Sequence, residues 1–265
     1  MKNLIVNIYK TLFFFDFAIV VAYYLPDIKT ESPAILTLWR EGVFFAVVLA
    51  FTLVFIKFVE QKGIKVFNLK NKLRHYSLGL ITAIIPLGIT VLSLWVFKML
   101  RFNGANKIDG MLFWLIALLL NAAANELLLR GYLFKLYRKY YSLPVVTAIV
   151  TALFISLNIN IFSAGVVYSA NMLLTNIILC LLAEYSYSLL APIAAHFFYN
   201  LISSFVFGSL TVSKDYPTLL NILWSGNKYL SGGASKIEGS IILLAVNLAL
   251  CAYFIIKLRK RKSKI

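Results

Sequence analysis

The chain alternates between long apolar runs and short polar or basic segments. A helix needs ~20 mostly apolar residues to cross a bilayer. Because the first run contains Asp16 and no small-residue cleavage site follows it, we interpret it as an uncleaved span rather than a signal peptide. The pattern predicts an all-α, polytopic membrane helical bundle of about eight transmembrane helices. The predicted spans are residues 4–25, 34–58, 76–100, 111–137, 143–163, 165–188, 190–210 and 239–257.

The composition excludes a soluble protein. The chain is 61% hydrophobic and 15% aromatic, and a soluble domain of 265 residues could not bury so much apolar surface. The net charge of +16 would suit a nucleic-acid partner, but the basic residues lie in short clusters between the apolar runs. We therefore expect the lipid bilayer as a partner and no nucleic acid. Cys180 and Cys251 lie in separate runs and predict neither a disulfide framework nor a zinc site.

Three basic clusters predict the orientation of the chain. With eight spans, all three fall on the side of the N-terminus, so the positive-inside rule places both termini in the cytoplasm. The abundance of Lys, Ile, Asn, Phe and Tyr is typical of an AT-rich bacterial genome, and we expect a multi-pass protein of the bacterial plasma membrane. The clusters are Lys57, Lys62, Lys65, Lys70, Lys72 and Arg74; Lys135, Arg138 and Lys139; and Lys257, Arg259, Lys260, Arg261, Lys262 and Lys264.

The same pattern divides the chain into three parts. Residues 1–110 hold the N-terminal spans, and residues 111–210 form the predicted core. Residues 211–265 comprise a long outer loop at about 211–238, the last span and a basic cytoplasmic tail. We see no internal repeat and no Gly-rich phosphate loop.

The fourth span contains a carboxylate deep inside apolar sequence. Glu126 is followed one helical turn later by Arg130, and the acid is N-terminal to the base, which is the better order for pairing. A charge at membrane depth costs ~2.5–3.5 kcal/mol by insertion scales, so it needs a partner or a function. One interpretation is an ion pair that satisfies itself. The other is a polar site completed by other helices.

Later spans supply polar residues that could complete such a site. Asn158 lies near the end of the fifth span, and His196 and Asn200 share one helical face of the seventh. A single histidine or asparagine in a membrane helix commonly forms a structural hydrogen bond to a neighbouring helix. Together with Glu126 and Arg130, however, these residues predict a polar cavity among spans four, five and seven.

Three motifs in this region resemble those of the CPBP family, the CAAX protease and bacteriocin-processing membrane proteins (also called the Abi family). Here they read Asn125-Glu126-x-x-x-Arg130, Phe154-x-x-x-Asn158 and His196-x-x-x-Asn200. The family pattern is Glu-Glu-x-x-x-Arg, Phe-x-x-x-His and His-x-x-x-Asn. The similarity covers about residues 110–205 and implies the intramembrane fold of a CAAX-type endopeptidase.

The departures from the family pattern bear on activity. In family members that are proteases, the first Glu is thought to activate water with help from the His of the second motif, and the last His and Asn to stabilise the oxyanion. The resemblance puts the base at Asn125 and its helper at Asn158, whereas Glu126, Arg130, His196 and Asn200 match the pattern. An amide cannot take a proton from water, and general-base catalysis contributes ~10²–10⁴-fold.

The favoured hypothesis is therefore a pseudoenzyme whose endopeptidase activity is lost or much reduced. It would bind a hydrophobic peptide or a membrane protein, in bacteriocin immunity or processing or in regulation of a surface protein. The alternative is an active intramembrane CAAX-type endopeptidase that uses Glu126, His196 and Asn200. A transporter is disfavoured because no inverted repeat is visible.

We expect neither a cofactor nor a metal. A catalytic zinc site takes about three protein ligands, but only one histidine lies in the predicted spans and there is no His-Glu-x-x-His. The second histidine, His75, lies in a basic loop, which is unfavourable for a cation.

Overall fold

Eight apolar helices make up most of the structure. The structure is a computed structural model and describes residues 2–60, 71–212 and 216–262. The predicted all-α polytopic membrane bundle is confirmed. Six of the helices are long and apolar enough to cross a membrane, and α5 and α7 are shorter. The helices are α1 Lys2–Tyr24, α2 Pro33–Val59, α3 Lys72–Val96, α4 Met111–Arg138, α5 Leu143–Leu157, α6 Val166–Ser186, α7 Leu190–Val206 and α8 Ile241–Lys262.

The third span ends earlier than the sequence predicted. We expected helix over 76–100, but α3 ends at Val96 and Lys98 adopts a left-handed backbone conformation with φ of 57°. Strand β1, Leu100–Ala105, follows and pairs antiparallel with β2, Leu220–Trp224, within the predicted outer loop. The ladder hydrogen bonds satisfy backbone groups that a longer helix would have satisfied internally.

Close packing of α3 on α7 positions the second half of the bundle. A Cβ atom added at Gly79 would lie only 2.2 Å from the carbonyl oxygen of Ala191. Because glycine has no side chain, the two backbones approach one another directly, as is common where small residues meet in membrane helix interfaces. Elsewhere, α2 packs along α4 and α6 along α8.

An aromatic cluster joins the first two helices to α4. The ring centroids of Phe14 and Tyr132 are 4.6 Å apart, and Phe55 lies 5.2 Å from Phe14 and 5.4 Å from Tyr132. Buried aromatic rings contribute large apolar contact areas with defined geometry. The N-terminal helices are thus fixed against the helix that carries Glu126.

Glu60 gathers basic residues from two distant helices at one end of the bundle. Its carboxylate lies 2.6 Å from Nζ of Lys10 on α1 and 3.1 Å from Nζ of Lys139, just after α4. The ends of α2 and α4 therefore lie beside the first half of α1.

The C-terminal helix reaches the same end of the bundle. Arg138 forms an ion pair of 2.6 Å with Glu184 near the end of α6, and Arg261 donates to the carbonyl oxygen of Tyr185 at 3.1 Å. Arg138 and Lys139 of the second basic cluster therefore lie at the same end of the bundle as Arg261 of the third cluster and as Glu60, which adjoins the first cluster. The membrane side of that end stays a prediction. Lys62, Lys65, Lys70 and Lys264 lie outside the described residues.

Candidate functional site

A polar cavity of about 450 Å³ lies among helices α2 to α8. Asparagine amides are the most numerous polar groups of its lining, which also includes Arg40, Glu41 and charged or polar groups of the motifs, together with hydroxyl-bearing and apolar side chains. The sequence predicted a cavity among the fourth, fifth and seventh spans, and the structure adds walls from α2, α3, α6 and α8. The lining includes Asn121, Asn125, Arg130, Asn158, Asn176, His196, Asn200 and Asn247.

Glu126 lies behind the cavity wall and not in the wall itself. Its side chain is 0% exposed, and one oxygen, Oε1, is 3.0 Å from Arg130 Nη1 and 2.8 Å from His196 Nδ1. The predicted pairing of Glu126 with Arg130 is thus present. The structure also joins Glu126 to His196, which is 70 residues later in the chain.

The hydrogen bond to Glu126 defines the chemistry of the His196 ring. Because an ionised carboxylate only accepts hydrogen bonds, Nδ1 of His196 carries the proton and donates it. In the neutral ring, Nε2 is then an acceptor. His196 lines the cavity, so this ring can accept a proton or hydrogen bond from a bound molecule.

Arg130 is held on two sides. Its Nη1 binds Glu126, while Nη2 donates to the backbone oxygen of Asn176 at 3.0 Å and to the Asn176 side-chain oxygen. The Asn176 amide in turn donates to Thr151 Oγ1 at 2.9 Å. These bonds connect α4, α6 and α5 and fix the guanidinium in the cavity wall.

α4, which carries Glu126 and Arg130, and α7, which carries His196 and Asn200, both change from α-helical to π-helical geometry at the motif. Leu127–Leu133 is π-helical directly after Glu126, and Leu201–Val206 is π-helical directly after Asn200. A π segment has i→i+5 hydrogen bonds and shifts the angular phase of the side chains that follow it; such segments occur frequently at functional sites. Sequence periodicity gave no signal for these segments.

The two positions that depart from the family pattern both line the cavity. Asn125 donates from Nδ2 to the backbone oxygen of Asn121 at 2.9 Å and to its side-chain oxygen at 3.3 Å. Asn158 ends α5, and its amide donates to the carbonyl oxygen of Phe154 at 2.9 Å. Asn200 is buried and lines the same cavity. The predicted site residues are therefore together, with Glu126 one layer behind.

A second cavity carboxylate was missed by the sequence reasoning. Glu41 on α2 lines the cavity and accepts a hydrogen bond of 3.0 Å from Asn121 Nδ2. The available signal was an acidic residue inside the predicted second span. The sequence analysis gave no role to Glu41, which belongs to none of the three motifs.

Tyr216, on the outer loop, lies near Glu41. Its ring packs on Trp114 with centroids 5.3 Å apart, and burial together with the nearby Glu41 charge raises the pKa of its hydroxyl. Among the described residues, the buried Tyr216 hydroxyl has no hydrogen-bond partner.

The site offers no cluster of metal ligands among residues 2–60, 71–212 and 216–262. No group of three or more His, Cys, Asp or Glu side chains there could hold a metal ion. The described cavity wall carries amides, the His196 imidazole, the guanidinium groups of Arg40 and Arg130 and the Glu41 carboxylate.

Comparison with known families identifies the part of the chain that holds these motifs. Residues 107–202 match the family model described as Type II CAAX prenyl endopeptidase Rce1-like. This segment is Rce1-like. The resemblance predicted from the motifs over about residues 110–205 is confirmed. No curated protein and no solved structure matched the chain.

The Rce1-like segment contains most, but not all, of the site. It supplies Glu126, Arg130, His196 and Asn200, together with Asn125 and Asn158. Glu41 on α2 and Asn247 on α8 lie outside it and also line the cavity. The flanking helices therefore add polar groups to the cavity beyond the three motifs.

Proposed function

We propose that this protein is a CPBP-type membrane protein that binds an apolar peptide segment in its amide-lined cavity, with endopeptidase activity that is lost or much reduced. The observation that carries this proposal is the position of Glu126. It is fully buried behind the wall and already accepts from Arg130 and His196, while asparagines occupy the positions of base and helper.

Electrostatics support the binding role. At the cavity surface, Asn125 and Asn158 can exchange hydrogen bonds with a peptide backbone but cannot take a proton from water. Apolar residues such as Leu129 and Leu157 line the remaining wall. A cavity with apolar walls and a few positioned polar groups is the usual form of a ligand site.

Such a ligand would reach the cavity from the lipid bilayer. The helices expose large apolar side chains such as Ile81, Leu92 and Trp95 on α3, as expected for surfaces facing lipid. A hydrophobic peptide or membrane protein partner fits this environment. We propose bacteriocin immunity or processing, or regulation of a surface protein, in the bacterial plasma membrane as the physiological setting.

A binding assay tests the cavity directly. A fluorescent prenylated CAAX-type peptide should bind the purified protein in nanodiscs. Leu157→Trp, which fills the cavity, should weaken binding at least tenfold, and Leu119→Trp, on the 44% exposed face of α4, should not. Equal binding by both variants would refute occupancy of the cavity.

A cleavage assay separates binding from catalysis. With the same peptide, the wild type should release product at the rate of an empty-nanodisc control. Wild-type turnover above that control, lost in Glu126→Gln protein that still elutes as the folded species in size exclusion, would instead establish the protease.

The 2.8 Å bond between Glu126 and His196 favours that second candidate, an active intramembrane endopeptidase. In it, Glu126 would orient the imidazole, Nε2 of His196 would take the proton of an attacking water, and Asn200 would stabilise the oxyanion. This arrangement resembles the carboxylate–histidine half of a catalytic triad. The cleavage assay distinguishes the two functions.

A further inference from the structure

Glu41 is a carboxylate in the cavity that none of the three family motifs supplies. It lies on α2, and its Oε2 accepts from Asn121 Nδ2 at 3.0 Å. Within residues 2–60, 71–212 and 216–262, Asn121 is the side chain that donates a hydrogen bond to the Glu41 carboxylate. The amide neighbour satisfies one oxygen and supplies no positive charge.

The cationic groups that line the same cavity are engaged elsewhere. Arg40 binds Asp27 through three hydrogen bonds of 2.6 to 3.2 Å. Arg130 binds Glu126 and Asn176. The described cavity wall therefore carries a carboxylate whose positive counterpart is not among its own side chains.

The surroundings of Glu41 suit a cationic ligand group. The Tyr216 hydroxyl is buried near this carboxylate and has no partner among the described residues, so it can accept a hydrogen bond from an ammonium group. Phe44 lies about one helical turn after Glu41 and lines the same cavity, and an aromatic ring favours a nearby cation. An ionised carboxylate at membrane depth is unfavourable without a positive partner, and a ligand cation would supply that partner.

We infer that Glu41 forms a cation subsite, and that the ligand is an apolar peptide segment carrying one positive group, such as a lysine, an arginine or a free α-amine. The inference rests on the proposed binding function and names the chemistry of its ligand. The apolar part would occupy the wall around Leu129 and Leu157, and the cation would lie against Glu41. Anionic groups would be disfavoured at this position.

The test uses dansylcadaverine, an apolar fluorophore with a terminal amine, and its N-acetylated neutral form. Binding to the full-length protein in nanodiscs of neutral lipid is followed by dansyl fluorescence. The amine should bind at least tenfold more tightly than the acetylated probe. Glu41→Gln keeps an oxygen for Asn121 but removes the charge, and should abolish this preference.

Two controls make the result specific. Glu31→Gln makes the same chemical change at an exposed loop position and should leave the preference intact. Leu157→Trp should weaken both probes, because it fills the apolar wall. Size-exclusion profiles of all variants establish that they remain folded.

The outcomes separate this inference from the proposed function. Equal binding of both probes, sensitive to Leu157→Trp and insensitive to Glu41→Gln, would overturn the cation subsite and leave the apolar cavity intact. Failure of both probes to bind would overturn the subsite as well. Binding of the prenylated peptide would then be the test of whether the cavity holds an apolar ligand.

Discussion

Oε1 of Glu126 lies 2.8 Å from Nδ1 of His196, across two helices whose motif residues are 70 positions apart in the chain. The same oxygen lies 3.0 Å from Nη1 of Arg130. One buried carboxylate oxygen thus joins the first and the last motif. Glu126 therefore connects α4 to α7, and the His196 ring bound to it lines the cavity.

Breaking this connection should destabilise the protein. Glu126→Gln leaves Arg130 as a buried unpaired charge, and we expect a loss of ~3–5 kcal/mol in the free energy of unfolding. Arg130→Met should have a comparable effect. The double variant should lose less than the sum of the two, because no unpaired charge remains. Unfolding by SDS titration in mixed micelles measures all three; additive losses would mean that the pair is not energetically coupled.

Two glycines on α3 provide a matched comparison for helix packing. A Cβ at Gly79 would lie 2.2 Å from the Ala191 carbonyl oxygen, whereas a Cβ at Gly88 would have no atom within 4 Å. Gly79→Ala should therefore displace α7 and destabilise the fold by ~1–3 kcal/mol. Gly88→Ala should be neutral or stabilising by up to ~1 kcal/mol through helix propensity. Thermal unfolding in detergent checks both, and equal effects would contradict the close approach.

The Glu60 cluster should make stability sensitive to acid. Burial raises the pKa of Glu60, but hydrogen bonds and charges from Lys10 and Lys139 outweigh it and hold the pKa below the ordinary 4.5. The carboxylate therefore contributes stability above about pH 4.5 that is lost as the pH falls through the lower folded-state value. Melting temperatures measured from pH 7 downward should fall in this range for the wild type.

Glu60→Gln provides the control for this pH dependence. The variant should be less stable than the wild type at pH 7, and the difference should shrink below about pH 4.5 as Glu60 of the wild type is protonated. A difference that is constant across the whole pH range would exclude Glu60 as the source.

Restoring the family residues should restore hydrolysis if the asparagines are what removed it. Asn125→Glu with Asn158→His places a base and its helper on the cavity wall, and we expect product release to rise by ~10²-fold or more, as general-base catalysis permits. Glu41 is linked to Asn125 through Asn121, so adding Glu41→Gln should relieve repulsion between the two carboxylates. The Asn125→Gln, Asn158→Gln variant is the matched control, and restored variants as inactive as it would contradict the role of these positions.

Cysteine labelling tests the predicted orientation. Lys228 follows β2 in the outer loop, and Lys262 ends α8 in the basic tail. A membrane-impermeant maleimide applied from outside should label Lys228→Cys and not Lys262→Cys in intact cells. The native Cys180 and Cys251 are buried and should contribute little background. Labelling of both positions from the same side would refute the topology.

The sequence by itself determined the class of fold and most of the candidate site. Apolar runs of span length specify membrane helices because the bilayer leaves backbone groups no partner outside their own helix. Motif spacing within single helices, as in Glu126 with Arg130 and His196 with Asn200, follows from the helical period. The end of α3 was predicted a few residues too late because β1 pairs with a strand more than a hundred residues away, which no local pattern reveals.

Only the tertiary structure decided which polar groups face the cavity. Glu126 turned out to lie behind the wall, bonded to His196, and Glu41 to lie in it, although Glu41 belongs to no motif. These directions depend on how α4 packs against α7 and α2, as the Glu126–His196 and Asn121–Glu41 hydrogen bonds between those helices show. Those contacts join residues far apart in the chain, so the local sequence around each residue does not predict them.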